Sequence, residues 1–280
     1  MISQHATNDD PRVTYLELLR WLRDHGEASS PRGEKTHELF DVVMKLDPHH
    51  VLVTGINRGI SLKLISMEGL QLISGTTFPR RTILAAPNMA RFTDGEVFHG
   101  AYGPRIAPQL PGVVSRLMKD PDSRQALMTV WNPLYDLGGD PQPRDVPCTA
   151  LIQFFIRKNA LVMHVTMRSN DAWWGTPHDW GQFSQLQLAM ARVLDVDAGS
   201  YYHHAVSFHL YERDFDKIDA LTEPVGNPER LSGIGYRGIT FNAMKSLALH
   251  ILHEDEIVNP SPAEMWHITQ QRKITESGNA

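Results

Sequence analysis

The sequence predicts an α+β fold, a single domain over residues 1–280 with a 1–30 helical extension and a polar tail at 265–280. Three observations lead there. TALIQFFIR (149–157) and ALVMHVTMRS (160–169) are rich in β-branched and aromatic residues, and Lys158-Asn159 between them fits a two-residue hairpin turn. From Trp180, WGQFSQLQLAMARVL places apolar residues at helical spacing. Apolar content is 41%, enough for a sizeable core, and no Gly/Ser-rich or long polar linker divides the chain.

In order, Thr14-x-x-Glu17 fits a capping box opening a helix that stops at Gly26. Ser30-Pro31-Arg32-Gly33 is a loop carrying an exposed arginine. Residues 38–55 read as an edge strand followed by a turn at Asp47-Pro48. His49-His50 are adjacent loop histidines without ligand spacing, so no metal is expected there. SLKLISMEGLQLISG is a helix with one acid, Glu68, on an apolar background; burying that carboxylate is costly unless it is hydrogen-bonded. Residues 76–99 carry no usable signal.

Asp120-Pro121-Asp122-Ser123 is a turn, and Arg124 precedes the strand ALMTVWN. Gly175, Pro177 and Asp179 lead into the helix from Trp180, with Asp179 and Gln182 spaced as a capping box. AVSFHLYERD reads as a strand that puts His209 and Tyr211 on one face. His203, His204 and His209 are too loosely spaced for a metal site.

Cys148 is the only cysteine, which excludes an intramolecular disulfide and suits a reducing cytoplasm. The opening MISQHATNDDPRV has no apolar signal region and no 18-residue apolar run follows, so a cytoplasmic protein away from membranes is expected. A net charge of −5 repels nucleic acid, so no nucleic-acid partner is expected, and a phosphate would need a local arginine cluster. If Arg157 faces Ala160, Cys148 lies opposite Ser169 and beside Arg168. A guanidinium near a thiol lowers its pKa and makes a nucleophile.

These residues resemble the thymidylate synthase family. The similarity rests on Pro147-Cys148, on Arg168-Ser169-Asn170-Asp171, on Gly175-Thr176-Pro177 before a helix, on Asp120-Pro121-Asp122-Ser123-Arg124 with Trp131-Asn132, and on Phe208-His209-Leu210-Tyr211. It is dense from about residue 100 to 215. Two residues after the Gly-x-Pro proline, thymidylate synthases carry an asparagine that reads the uracil edge. Asp179 stands there, and by that departure the chain is most similar to the deoxycytidylate and cytidylate 5-hydroxymethylases.

The resemblance implies a large mixed sheet with helices on one face, dimerising through the sheet. It implies (deoxy)cytidylate 5-hydroxymethyl transfer from the co-substrate 5,10-methylenetetrahydrofolate, without a metal. Cys148 would be the nucleophile, Glu68 would orient water, and Tyr102, from a Tyr-Gly pair, would help remove the C5 proton. Asp179 would read the base. Arg32, which falls near the family's N-terminal phosphate arginine counting back from Glu68, would bind the phosphate with Arg168, Ser169 and the partner subunit's Arg124. Where thymidylate synthases have two arginines, this chain has Arg124-Gln125. His209 and Tyr211 would hold the sugar, while Asp171 and Gly175 would belong to the folate side. Ser169 leans the reading towards the deoxy sugar. Thymidylate synthase-like methylation and a catalytically inactive nucleotide- or RNA-binding relative are the alternatives. A cysteine hydrolase is weaker, since no histidine is placed by sequence beside Cys148.

Overall fold

The computed structural model describes residues 5–6, 10–93, 97–138 and 143–278. Its strands are β1 (His5–Ala6), β2 (Glu27–Ser29), β3 (Thr36–Leu46), β4 (Leu127–Thr129), β5 (Thr149–Arg157), β6 (Ala160–Met167), β7 (Asn170–Asp171) and β8 (Asp197–Tyr211). The helices are α1 (Pro11–His25), α2 (Leu62–Ser74), α3 (Pro79–Ala85), α4 (Tyr102–Ile106), α5 (Leu110–Lys119), α6 (Pro133–Asp136), α7 (Thr176–Leu194), α8 (Phe215–Asp219), α9 (Phe241–His253) and α10 (Pro262–Gly278).

All eight strands join one mixed sheet in the order β1-β3-β8-β6-β5-β4, with β2 added to β3 and β7 to β8. Antiparallel neighbours β5 and β6 need only a tight turn, and Lys158 and Asn159 supply it with φ of 51° and 58°. Both central residues are left-handed, as a type I′ hairpin turn demands. Strands β6 and β8 are parallel and need a crossover, which α7 provides. Helix α7 is buried on nearly all sides, including Trp180, Phe183, Ser184 and Gln187, and packs against α2, β6 and β8. A helix enclosed in this way is a core element, so the side chains it carries near its start are held firmly.

The buried face of the sheet follows the period of two. Leu161, Met163, Val165 and Met167 alternate on β6, and Ile152 and Phe154 join them from β5. The opposite face is open in this chain: Phe40 and Val206 are exposed, and His164 stacks on Tyr202 with ring centres 4.5 Å apart.

Three readings of the sequence are corrected here. Helix α1 starts at Pro11, capped by the Asp10 side chain accepting from the Arg12 amide at 2.9 Å, so Thr14 and Glu17 are not a capping box. Proline suits the first helical turn, where its missing N–H costs nothing. Strand β3 is not an edge: it pairs with β8 on one side and with β1 and β2 on the other. The polar residues from 265 onwards build most of α10, which docks on α2. There His267 Nδ1 and Gln271 Nε2 each lie 2.8 Å from Ser66 Oγ. No helix among the described residues is long and apolar enough to cross a membrane.

Candidate active site

Cys148 precedes β5, where a β-bulge interrupts the pairing. Leu151 faces Thr166, whereas Thr149 faces Met167, and Ala150 is the extra residue. The bulge moves the register by one, so Cys148 lies opposite Arg168 rather than Ser169. The Arg168 amide donates to the Cys148 carbonyl at 2.8 Å. The guanidinium folds back over the same segment, donating to the carbonyls of Pro147 (2.9 Å) and Val146 (3.2 Å), with Nη2 4.0 Å from the sulfur. It also sits over the Trp131 ring, 5.2 Å from its centre.

The expected lowering of the thiol pKa is not what this environment produces. Burial pushes the Cys148 thiol up to about 11; Arg168 pulls it down, and the carboxylates of Asp179, Asp145 and Asp171 push it up again. Arg168 is a partial counterweight to desolvation, and the resting thiol holds its proton at neutral pH.

Three helices bring three more predicted groups into the same electrostatic field, Tyr102 and Asp179 acting on the sulfur itself and Glu68 joining through Asp179 and Asp145. Glu68 comes from α2, and burial raises its carboxyl to about 8, with Asp179 and Asp145 adding repulsion. Asp179 comes from the first turn of α7 and is raised to about 7 by burial, against hydrogen bonds from Asn170 and Gln182. Tyr102 opens α4 and stacks on Phe183 at 6.0 Å; burial lifts its phenol pKa, with Cys148 and Asp179 contributing. Acids whose pKa values lie near neutrality can take up and release protons there, as general acid–base chemistry needs. Asp145, which accepts from the Gly100 amide at 2.8 Å, belongs to this field and was not singled out from sequence.

Asp179 does not cap a helix. Helix α7 begins three residues earlier, at Thr176 with Gly175 as its N-cap, because Pro177 fits the first turn. Its carboxylate accepts from Asn170 Nδ2 at Oδ2 (2.8 Å) and from Gln182 Nε2 at Oδ1 (2.9 Å). Gly175 is required for space: a Cβ there would lie 3.1 Å from the Asp171 carbonyl and 3.2 Å from both Asn170 Nδ2 and Asp179 Oδ2.

A second group gathers where β7 pairs with β8. Asp171 faces His209, and Ser169 Oγ lies 3.2 Å from His209 Nδ1. Asp171 Oδ1 accepts from the amides of Trp173 and Trp174, both at 2.9 Å. Burial raises Asp171 and lowers His209, although each group's charge favours the other's ionised form. Arg32 sits in an exposed turn with φ of 55°, close enough to depress His209 further. Tyr211 follows on the same strand, under the Arg213 guanidinium at 3.9 Å. Arg58, also missed from sequence, braces the loop before α7. It donates to the Trp173 carbonyl and lies 4.7 Å over the Trp173 ring.

Arg124 stands apart. It is exposed beside β5, its carbonyl accepting from Gln153 Nε2 at 2.8 Å. Gln153 is five residues along the strand from Cys148, a separation of about 16 Å at strand rise.

Comparison with known proteins adds two findings. Residues 96–230 match the family model described as thymidylate synthase. A deoxyuridylate hydroxymethyltransferase of Bacillus phage SP01 is 31% identical over 224 residues, covering 73% of this chain and 58% of the relative. Another, from Pseudomonas phage M6, is 33% identical over 173 residues, covering 58% of this chain and 48% of the relative. The chain thus spans about half the length of these relatives.

Proposed function

We propose that this chain, whose residues 96–230 match the family model described as thymidylate synthase, is a member of that family and a pyrimidine nucleoside monophosphate 5-hydroxymethyltransferase acting on deoxycytidylate. The observation that carries the reading is the meeting of the partly buried Cys148, Glu68 and Tyr102 with the buried Asp179 in one electrostatic field beside Arg168.

Pyrimidine C5 is a poor nucleophile. When Cys148 sulfur bonds to C6, the C5–C6 electron pair moves to C5, which can then attack a one-carbon electrophile. The co-substrate 5,10-methylenetetrahydrofolate supplies that carbon at the oxidation level of formaldehyde and departs as tetrahydrofolate. Tyr102 assists loss of the C5 proton in this reading, leaving an exocyclic methylene on the pyrimidine. Water held by Glu68 adds to that methylene, the sulfur–C6 bond breaks, and the C5–C6 double bond returns. The balance is one C5–H replaced by C5–CH2OH, with water consumed. Asp171 suits the folate side, since Oδ1 is taken by two amides while Oδ2 has no hydrogen-bond partner among the described residues, beside the half-exposed Trp174. Arg32, Arg168 and Ser169 suit the phosphate, and His209 and Tyr211 the sugar.

Asp179 supports cytosine. Its two oxygens accept from protein amides and offer their remaining lone pairs to the exocyclic N4–H2, with a proton shared towards N3. Asp179→Asn is expected to move the kcat/KM ratio from cytidylate towards uridylate by roughly ten- to a hundredfold. An unchanged ratio removes the cytosine assignment.

One observation favours a second reading, in which the base is uracil: both relatives are named for deoxyuridylate. At a pKa of about 7, Asp179 is neutral often enough to donate O–H to O4 and accept N3–H. Initial rates of tritium release from C5-labelled deoxycytidylate and deoxyuridylate decide between them. Accumulation of dihydrofolate would mark a methyl transfer instead, and no release with either base would mark a binding protein.

The position of Arg124 supports a homodimer with shared sites. Refolding inactive Cys148→Ala subunits with inactive Arg124→Ala subunits should restore about a quarter of full activity, since half the dimers are mixed and one of their two sites is intact. No recovery would mean that Arg124 serves its own subunit or none.

A further inference from the structure

Behind Asp179 runs a line of buried polar side chains that no step above uses. Tyr201 Oη lies 2.7 Å from His203 Nδ1, and His203 Nε2 lies 2.9 Å from Asn170 Oδ1. Thr176 Oγ1 donates to the same oxygen at 2.8 Å, and Asn170 Nδ2 donates to Asp179 Oδ2 at 2.8 Å. Tyr201 and His203 are wholly inaccessible, and Asn170 and Thr176 nearly so. Three elements contribute: β8 the tyrosine and histidine, β7 the asparagine, and α7 the threonine and aspartate.

The hydrogen positions in this line are not independent. An ionised Asp179 only accepts, so Asn170 must present its NH2 to it and its carbonyl to Thr176 and His203. His203 must then carry its hydrogen on Nε2, which leaves Nδ1 to accept from the Tyr201 hydroxyl. Each member has one consistent assignment. The assignment can also be inverted as a unit. If residue 179 offers a donor, the Asn170 amide turns over, Thr176 accepts, His203 moves its hydrogen to Nδ1, and Tyr201 accepts. A hydroxyl, an imidazole tautomer and an amide each work in both directions, whereas apolar side chains would fix neither. Burial holds His203 neutral, down to about 3, so the ring keeps one donor and one acceptor throughout. Unpaired groups in such a line are costly, so it favours concerted states over mixed ones.

We infer that Asn170, His203 and Tyr201 are positioning residues that hold the Asp179 carboxyl in its acceptor state at the base edge, and that they thereby set how strongly the pocket prefers cytosine over uracil. The inference rests on the reading of Asp179 as the group that recognises the base. Asn170 acts on Asp179 directly, and His203 and Tyr201 act through Asn170.

The test is equilibrium binding of deoxycytidylate and deoxyuridylate to the 280-residue chain by calorimetry, which needs no turnover. Asp179→Asn, His203→Leu, His203→Gln and Tyr201→Phe are compared with wild type, each with its melting temperature. His203→Leu should reduce the cytosine-over-uracil ratio about tenfold, the scale of one lost buried hydrogen bond. His203→Gln, whose amide can donate and accept, should recover most of the ratio. Tyr201→Phe keeps the ring and loses only the last hydroxyl, so it should fold and reduce the ratio by about threefold. If His203→Leu does not fold, Tyr201→Phe and His203→Gln decide. A ratio that changes in Asp179→Asn but not in Tyr201→Phe or any folded His203 variant overturns the relay alone, even if those proteins melt earlier. A ratio unchanged in Asp179→Asn, or wild type that binds neither nucleotide, overturns the base reading and the relay together.

Discussion

Cys148→Ala is expected to bind nucleotide as wild type does and to turn over at least about 10⁴-fold more slowly, as when other covalent nucleophiles are removed. Binding should survive because, among the described residues, the sulfur's one hydrogen-bond contact is the 4.0 Å approach of Arg168, whose other donors stay on Val146 and Pro147. Wild type mixed with nucleotide and co-substrate should yield a mass adduct at Cys148, and the variant none. Measurable product from the alanine variant would remove the nucleophile assignment. Burial adds a second readout. A thiol held near 11 becomes thiolate as pH rises, so alkylation of the free protein should be slow at pH 7 and accelerate about tenfold per unit up to that value. A rate that levels off below pH 8 would mean Arg168 outweighs desolvation.

Glu68→Gln is expected to lower kcat by roughly 10²- to 10⁴-fold, the range for a positioned acid–base group, and yet to stabilise the protein at alkaline pH. The sign follows from the direction of the shift. The folded carboxyl binds its proton up to about 8, while the unfolded one releases it near 4.5. Between those values the folded state holds more protons, so the wild type loses stability as pH rises through that window and has lost it fully above 8. Glutamine cannot ionise and escapes the loss. The two proteins should melt within a degree or two of each other at pH 4, and the variant should melt about 5 °C higher at pH 9. Equal melting temperatures at pH 9 would mean that Glu68 is solvated rather than buried.

The hairpin carrying Cys148 was legible in the sequence because its signals are local: a Lys-Asn turn between two β-branched runs fixes most of the register. The last step was not. A bulge at Ala150 leaves no residue-type signature, and it replaced Ser169 by Arg168 opposite the thiol. The capping-box reading of Asp179 failed for a related reason. Spacing alone does not say where a helix begins, and Pro177 allows it to start before the acid. The same ambiguity moved the start of α1 from Thr14 to Asp10. The clustering of Cys148, Glu68, Tyr102 and Asp179 was legible only through resemblance, since residues 68, 102, 148 and 179 lie on separate elements. Asn170 and His203 were passed over because a polar residue beside a motif and a histidine in a strand look like ordinary core members. Their significance is in the pairing of β7 with β8 and the docking of α7, which are long-range facts. The sign of the Cys148 shift was missed because a neighbouring cation is visible in sequence and the depth of burial is not.

The docking of α10 decides how freely the far end of this chain can drift. Ser66 lies two positions before Glu68 on α2, and its hydroxyl is shared by His267 and Gln271 some two hundred residues later. Losing both partners strands the buried hydroxyl at a cost of about 1–3 kcal/mol, borne by the helix that carries Glu68. A stretch whose composition resembles solvent-facing filler therefore meets the same demand for polar pairing as an interior position. Any variant that shortens or reshuffles α10 has to rebuild the polar seam on α2 at the same time.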